Sequence, residues 1–245
     1  MKTILSVLLI SLMSSTAAMA GEFVTYTVDG AKYEGYYARA TANSPLVMIV
    51  HDWDGLTDYE VKRAEMLVAR GYTVFAADLF GAGVRPTKME DKRQHTGELY
   101  KDRAKMRALL YGALNEAKAR GANVDNAAVM GYCFGGAAVL EFARSGADLK
   151  GFATFHGGLK TPDGQDYSKA KGNLLIMHGS ADTAITMADF AALTNELESA
   201  GASHEMITYS GAPHAFTAFG EDRYRADADK KSWKRFMEFL GETLN

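Results

Sequence analysis

The most constraining stretch of this chain is Ala127-Ala128-Val129-Met130-Gly131-Tyr132-Cys133-Phe134-Gly135-Gly136. An apolar run meets glycine, then cysteine, then a glycine pair, and Gly135 to Ala143 reads as a helix. This is the pattern of a strand that turns sharply into a helix with a nucleophilic side chain at the turn. Side chains two residues before and after would crowd such a turn, so glycine suits positions 131 and 135. Cys133 then stands at a helix N-terminus, where backbone N–H groups favour a thiolate. The amide of Phe134 is placed to meet the oxygen of a carbonyl under attack. A buried structural cysteine is the alternative, because free cysteines are among the most buried residue types.

A thiol nucleophile needs a base and a group that orients the base. Two downstream positions supply them in the order that suits such a turn, acid before histidine. Asp182 lies a few residues past the apolar run Leu174-Leu175-Ile176-Met177, and His214 lies in Gly211-Ala212-Pro213-His214-Ala215-Phe216. Alone, Asp182 also reads as a helix cap ahead of Thr186, and a lone loop histidine as a solvated one. Three such residues in order, each after a strand, favour the catalytic reading.

The surrounding pattern alternates strands and helices. Phe23–Val28 and Lys32–Arg39 flank Gly30 as a hairpin. Leu46–Val50 is wholly apolar, as a buried parallel strand should be. Thr57-Asp58-Tyr59-Glu60 is a capping box that opens a helix ending at Gly71. Tyr72–Ala77, Ala127–Gly131, Gly151–Phe155, Leu174–Met177 and Glu205–Tyr209 are further strands. Glu90 to Arg120 carries Leu99, Met106, Leu109, Leu110 and Leu114 at helical spacing. Helices also open at Thr186 and carry Trp233, Phe236, Met237 and Leu240 near the end. An antiparallel start followed by strand–helix units predicts a three-layer α/β domain with a mostly parallel sheet, one domain over 21–245.

Residues 1–20 read differently. Lys2 precedes the apolar run Ile4 to Met13, and Ala18-Met19-Ala20 fits a small-x-small cleavage site. This predicts a signal peptide cut after Ala20 and a periplasmic or secreted protein without stable membrane insertion. Export makes the single cysteine conspicuous, since exported proteins usually pair their cysteines. Net charge is −3, with no Lys/Arg patch to bind nucleic acid.

The motifs together resemble the dienelactone hydrolase family, over nearly the whole chain after residue 20. The resemblance rests on G-Y-C-F-G-G at Gly131–Gly136, G-S-A-D at Gly179–Asp182 and P-H-A-F at Pro213–Phe216. His51-Asp52-Trp53-Asp54-Gly55-Leu56 and Asp78-Leu79-Phe80-Gly81 add two more motifs. It implies an α/β-hydrolase fold, with helices on both faces of a mostly parallel sheet. Cys133 would be the nucleophile, His214 its base and Asp182 the triad acid. Backbone amides of Phe134 and Trp53 would form the oxyanion hole. Asp52 occupies the place of a carboxylate that contacts the resting thiol, one methylene shorter than the commoner glutamate. Arg85 is the nearest candidate for an arginine that holds a substrate carboxylate; the second expected arginine is missing just after His214, and Arg223 and Arg225 come later.

The implied activity is hydrolysis of a small ester or lactone through an acyl-enzyme, with no cofactor. Two rivals stay open: an exported non-catalytic binding protein on the same fold, and a redox-active thiol protein. The latter has no second cysteine to resolve a disulfide. His156 and His178 read as strand-end residues and His51 as part of the site's rim. His156 and His178 have no partner at metal-ligand spacing, and His51 beside Asp52 could bind a metal but fits the rim better, so no metal is expected. N-terminal sequencing of the exported protein is expected to start at Gly21; a start at Met1 would contradict cleavage.

Overall fold

The computed structural model describes residues 21–244. The signal-peptide reading falls on residues outside that range. The chain opens with β1 (Glu22–Val28) and β2 (Ala31–Ala38), paired antiparallel across Asp29-Gly30. Both turn residues have positive φ, 50° and 81°, the backbone of a two-residue hairpin turn. β3 (Pro45–Val50), α1 (Asp58–Val68) and β4 (Thr73–Ala77) follow. Next come α2 (Met89–Lys101), α3 (Arg103–Ala119), β5 (Asn123–Tyr132) and α4 (Phe134–Arg144). The chain closes with β6 (Gly151–Phe155), β7 (Asn173–Gly179), α5 (Met187–Ala200), β8 (His204–Tyr209) and α6 (Ala226–Thr243).

The eight strands form one sheet in the order β1-β2-β4-β3-β5-β6-β7-β8. β2 pairs antiparallel with β1 and β4, and every other pair is parallel. Side chains alternate between the two faces. Leu46, Met48 and Val50 of β3 pack on one side with α3, α4 and α5; Val47 and Ile49 pack on the other with α1 and α6. Both faces of the central strands are therefore covered, which is why those strands read as continuous apolar runs. This is the expected three-layer α/β-hydrolase architecture.

One expected element is divided. The helical spacing over Glu90–Arg120 spans two helices, broken at Asp102. The Asp102 carboxylate accepts from the Lys105 amide at 2.9 Å and caps α3. Apolar spacing alone cannot see this break, because Leu99 and Met106 stay buried in the same core across it. The parallel strands deliver their carboxyl ends, and the loops after β3, β5, β7 and β8, to one edge of the sheet. That edge is where sites gather in such folds.

Candidate active site

The loop between β5 and α4 is one residue, Cys133. Its φ of 50° and ψ of −112° hold it in a sparsely populated conformation. The glycines explain how so tight a turn closes. A Cβ on Gly131 would lie 2.3 Å from the Gly135 carbonyl oxygen, and one on Gly135 would lie 2.2 Å from that of Val50. Both obstacles are backbone, so no side-chain shift could relieve them. The turn is also clamped by hydrogen bonds. The Cys133 amide donates to Phe155 at 3.1 Å, and its carbonyl accepts from Ala137 and Gly158 at 3.3 Å each.

His214 Nε2 lies 3.1 Å from Cys133 Sγ, and His214 Nδ1 lies 2.7 Å from Asp182 Oδ2. Asp182 Oδ1 accepts from the amides of Ala184 and Ile185 at 2.9 Å each. These amides and His214 hold the carboxyl below its usual range, although burial opposes them. Burial also opposes charge on His214, but the bonds to Asp182 and Cys133 outweigh it and push the ring up to about 10. The imidazolium is thus favoured. Its stabilising effect is complete below the ordinary imidazole value of 6.5 and is lost as pH rises through about 10.

A buried polar chain backs the His214 loop. His156 packs edge-on against the His214 ring, centroids 5.3 Å apart. Its Nε2 meets Thr217 Oγ1 at 2.7 Å, which in turn meets the Tyr59 hydroxyl at 2.8 Å. Arg63 donates to the Thr217 carbonyl at 3.0 Å and pairs with Asp229. Its guanidinium is enclosed by the rings of Phe219, Trp233, Tyr59 and Tyr132, with centroids at 4.2 to 5.7 Å. Burial, then the charge on His214, hold His156 well below the usual imidazole range. Four non-glycine residues among those described have positive φ: Asp29 in the hairpin, and Cys133, His156 and Ala215 here. Backbone strain of this kind gathers where surroundings over-determine a site.

The β3–α1 loop forms the facing wall. The amides of Trp53 and Phe134 donate to no group among the described residues. Asp52 is not a hydrogen-bond partner of the sulfur. Its Oδ1 instead accepts from the Asp54 amide at 2.8 Å, because the short side chain is satisfied by its own turn. Burial, then the charge of Asp54, raise the Asp52 carboxyl to about 6. His51 is no rim residue: it is fully buried. Its Nε2 accepts from the Leu79 amide at 3.0 Å, so its Nδ1 donates to the Asp52 carbonyl, 2.6 Å away. It ties the ends of β3 and β4 together. His156 follows β6 and His178 ends β7, both buried.

A cavity of about 460 Å³ opens beside the thiol, lined by Asp52, Trp53, Cys133 and His214 together with Lys92, Phe219 and Arg223. Arg85 is not in this lining. Its guanidinium faces Glu34 at 3.5 Å and the buried Asp78 at 3.9 Å and donates to the Val84 carbonyl at 2.9 Å. The acids across β2 and β4 hold it away, which its sequence spacing did not show. Lys92 and Arg223 were missed as cavity residues. Lys92 pairs with Asp54 at 2.6 Å, while Arg223 is exposed and has no ion-pair partner among the described residues. Arg63 was missed too, though a signal exists: Tyr59, Arg63 and Leu67 recur every four residues on the buried side of α1. Among the described residues no group of His, Cys, Asp or Glu side chains could hold a metal ion.

A family model described as dienelactone hydrolase matches residues 33–244. The "Putative carboxymethylenebutenolidase" of Escherichia coli (strain K12) is 23% identical over 236 residues, covering 91% of this chain and 87% of its own. The crystal structure of the dienelactone hydrolase-like promiscuous phosphotriesterase P91, from metagenomic libraries, is 27% identical. It superposes with a TM-score of 0.86 over 94% of this chain and 100% of that one. A structure named m3DLH is 30% identical, with a TM-score of 0.86 over 92% and 98%. This chain belongs to the dienelactone hydrolase family and is a hydrolase of the α/β-hydrolase fold.

Behind Asp52, the buried Glu60 completes the cap of α1. Its Oε2 accepts from the Thr57 amide at 2.8 Å and the Thr57 hydroxyl at 2.9 Å. Burial, then the charge of Asp52, push the Glu60 carboxyl up to about 8 from 4.5. An acid raised on folding favours the folded state least once ionised, so stability falls as pH rises through this window. Glu60→Gln keeps an acceptor for Thr57 and removes the titration. Thermal melts are expected to show the variant overtaking the natural chain between about pH 5 and about pH 9. A difference that stays constant with pH would assign the titration elsewhere.

Proposed function

We propose that this family member hydrolyses small esters or lactones through Cys133, His214 and Asp182. The carrying observation is the unbroken chain of contacts from Sγ through the imidazole to a carboxylate, at a strained turn. His214 Nε2 takes the thiol proton as Sγ attacks the substrate carbonyl carbon, and the Phe134 and Trp53 amides receive the negative charge that develops on its oxygen. The carbon–oxygen bond to the leaving group breaks as His214 Nε2 gives that oxygen a proton. Water then attacks the thioester, and His214 takes its proton. The carbon–sulfur bond breaks, the acid is released, and His214 returns its proton to Sγ. Asp182 holds the ring's orientation throughout. Family membership and these contacts weigh against a non-catalytic binding role.

Arg223 on the cavity wall favours a substrate that carries an acidic group. Arg223, which forms no ion pair among the described residues, takes the part first expected of Arg85; Lys92 is held by Asp54, and Glu221 lines the same cavity. The reading includes export: residues 1–20 have the pattern of a cleaved leader, which would put this thiol enzyme in the periplasm or outside the cell.

Hydrolysis of p-nitrophenyl acetate is expected to fall about a thousandfold or more in Cys133→Ala and in His214→Ala, and brief reaction should leave an acyl mass on Cys133. Undiminished turnover in Cys133→Ala would refute the mechanism. Arg223→Gln is expected to lower kcat/KM for carboxylated lactones about tenfold or more relative to neutral ones. A uniform loss across both substrates would make Arg223 structural.

A further inference from the structure

A second compartment, of about 320 Å³, lies beside the first, and Ala184 lines both. Tyr100, Ala137, Leu159 and Ile185 supply its apolar walls. It is built onto the nucleophile's own turn. Ala137 and Gly158, which line it, are the two residues whose amides bond the Cys133 carbonyl. Tyr100 is fixed on two sides: its ring meets the edge of Phe134, centroids 5.5 Å apart, and Arg103 sits 4.8 Å from its centroid. Yet 38% of Tyr100 stays exposed. Burial, and then the charge of Cys133, raise the Tyr100 phenol. Three charged residues also line it: Arg103 is engaged with Glu141, Asp189 with Thr186, and Lys160 acts on Asp189 through its charge.

The chemistry of the first compartment assigns the second. The leaving oxygen must take its proton from His214, which, like Cys133, lines the larger cavity and not this one. The leaving group therefore belongs on the His214 side. The acyl group, bonded to the same carbonyl carbon, has to extend elsewhere. We infer that the compartment formed by Tyr100, Ala137, Leu159 and Ile185 is the acyl pocket and that it selects an apolar acyl chain longer than acetyl. This rests on the ester-hydrolase reading above and names the substrate half that reading leaves open.

Kinetics on p-nitrophenyl acetate, butyrate and hexanoate test it. In the natural chain kcat/KM is expected to rise about fourfold per methylene until the pocket is full. Ile185→Trp, which fills the pocket, is expected to lower the hexanoate-to-acetate ratio about tenfold. Ala137→Leu fills it from α4 and serves if the first variant does not fold. Lengthening the alcohol instead, in alkyl acetates, should give a series that neither variant reorders. An unchanged hexanoate-to-acetate ratio in a folded variant, or a changed alcohol series, overturns the assignment. If the natural chain hydrolyses none of these esters, the functional reading fails separately. Hexanoate must then still slow iodoacetamide alkylation of Cys133 in the natural chain and not in Ile185→Trp; equal protection, or none, overturns the pocket.

Discussion

The close approach of Gly135 to the Val50 carbonyl is the contact on which the site depends. It lets the N-terminus of α4 sit directly over the end of β3, and so brings the β5–α4 turn against the β3–α1 loop. Cys133 and Phe134 come from one side of this contact, Trp53 and Asp52 from the other. A single methyl group in that gap would separate them. The strained φ of Cys133 follows from the same packing: the chain has one residue in which to reverse from strand to helix. The surrounding parallel strands, buried on both faces, supply the rigidity that keeps the strain in place.

The second requirement is a fixed histidine. His214 sits on a loop after an edge strand, where a chain is least held by the sheet. The structure holds it from below with buried polar groups. Arg63 binds the Thr217 carbonyl, Asp229 neutralises Arg63, four aromatic rings enclose the cation, and Thr217 links Tyr59 to His156 beneath the imidazole. A buried ion pair is a weak source of net stability, because desolvation offsets much of the attraction. Here its geometric effect matters more: removing any member strands a buried polar partner, so the arrangement has few alternatives.

Electrostatics divides the acids of the site by environment. Asp182 receives two amides and the His214 ring and stays ionised; Asp52 and Glu60, buried near one another, are pushed upward. The resemblance suggested a thiol contact for Asp52. The structure gives its carboxylate to the Asp54 amide, since a side chain this short closes its own turn more easily than it reaches the sulfur. Arg85 shows the same limit. Its place after Asp78-Leu79-Phe80 was legible, but not the pull of Asp78 and Glu34 on its guanidinium.

The sequence by itself determined the strand–helix alternation, the glycine-flanked turn at Cys133 and the chain order of Asp182 and His214. Each of these is written in local terms, as apolar period, steric demand or position after a strand. It also carried the family resemblance, because those motifs are short and contiguous. The tertiary structure alone decided which cations line the cavity beside the thiol, what supports His214, that His51 is buried, and that a second cavity shares Ala184 with the first. Those outcomes depend on side chains from loops far apart in the chain, and on which buried or charged neighbour each one meets first. Local pattern holds no information about that competition, which is settled only when the sheet brings the loop ends together.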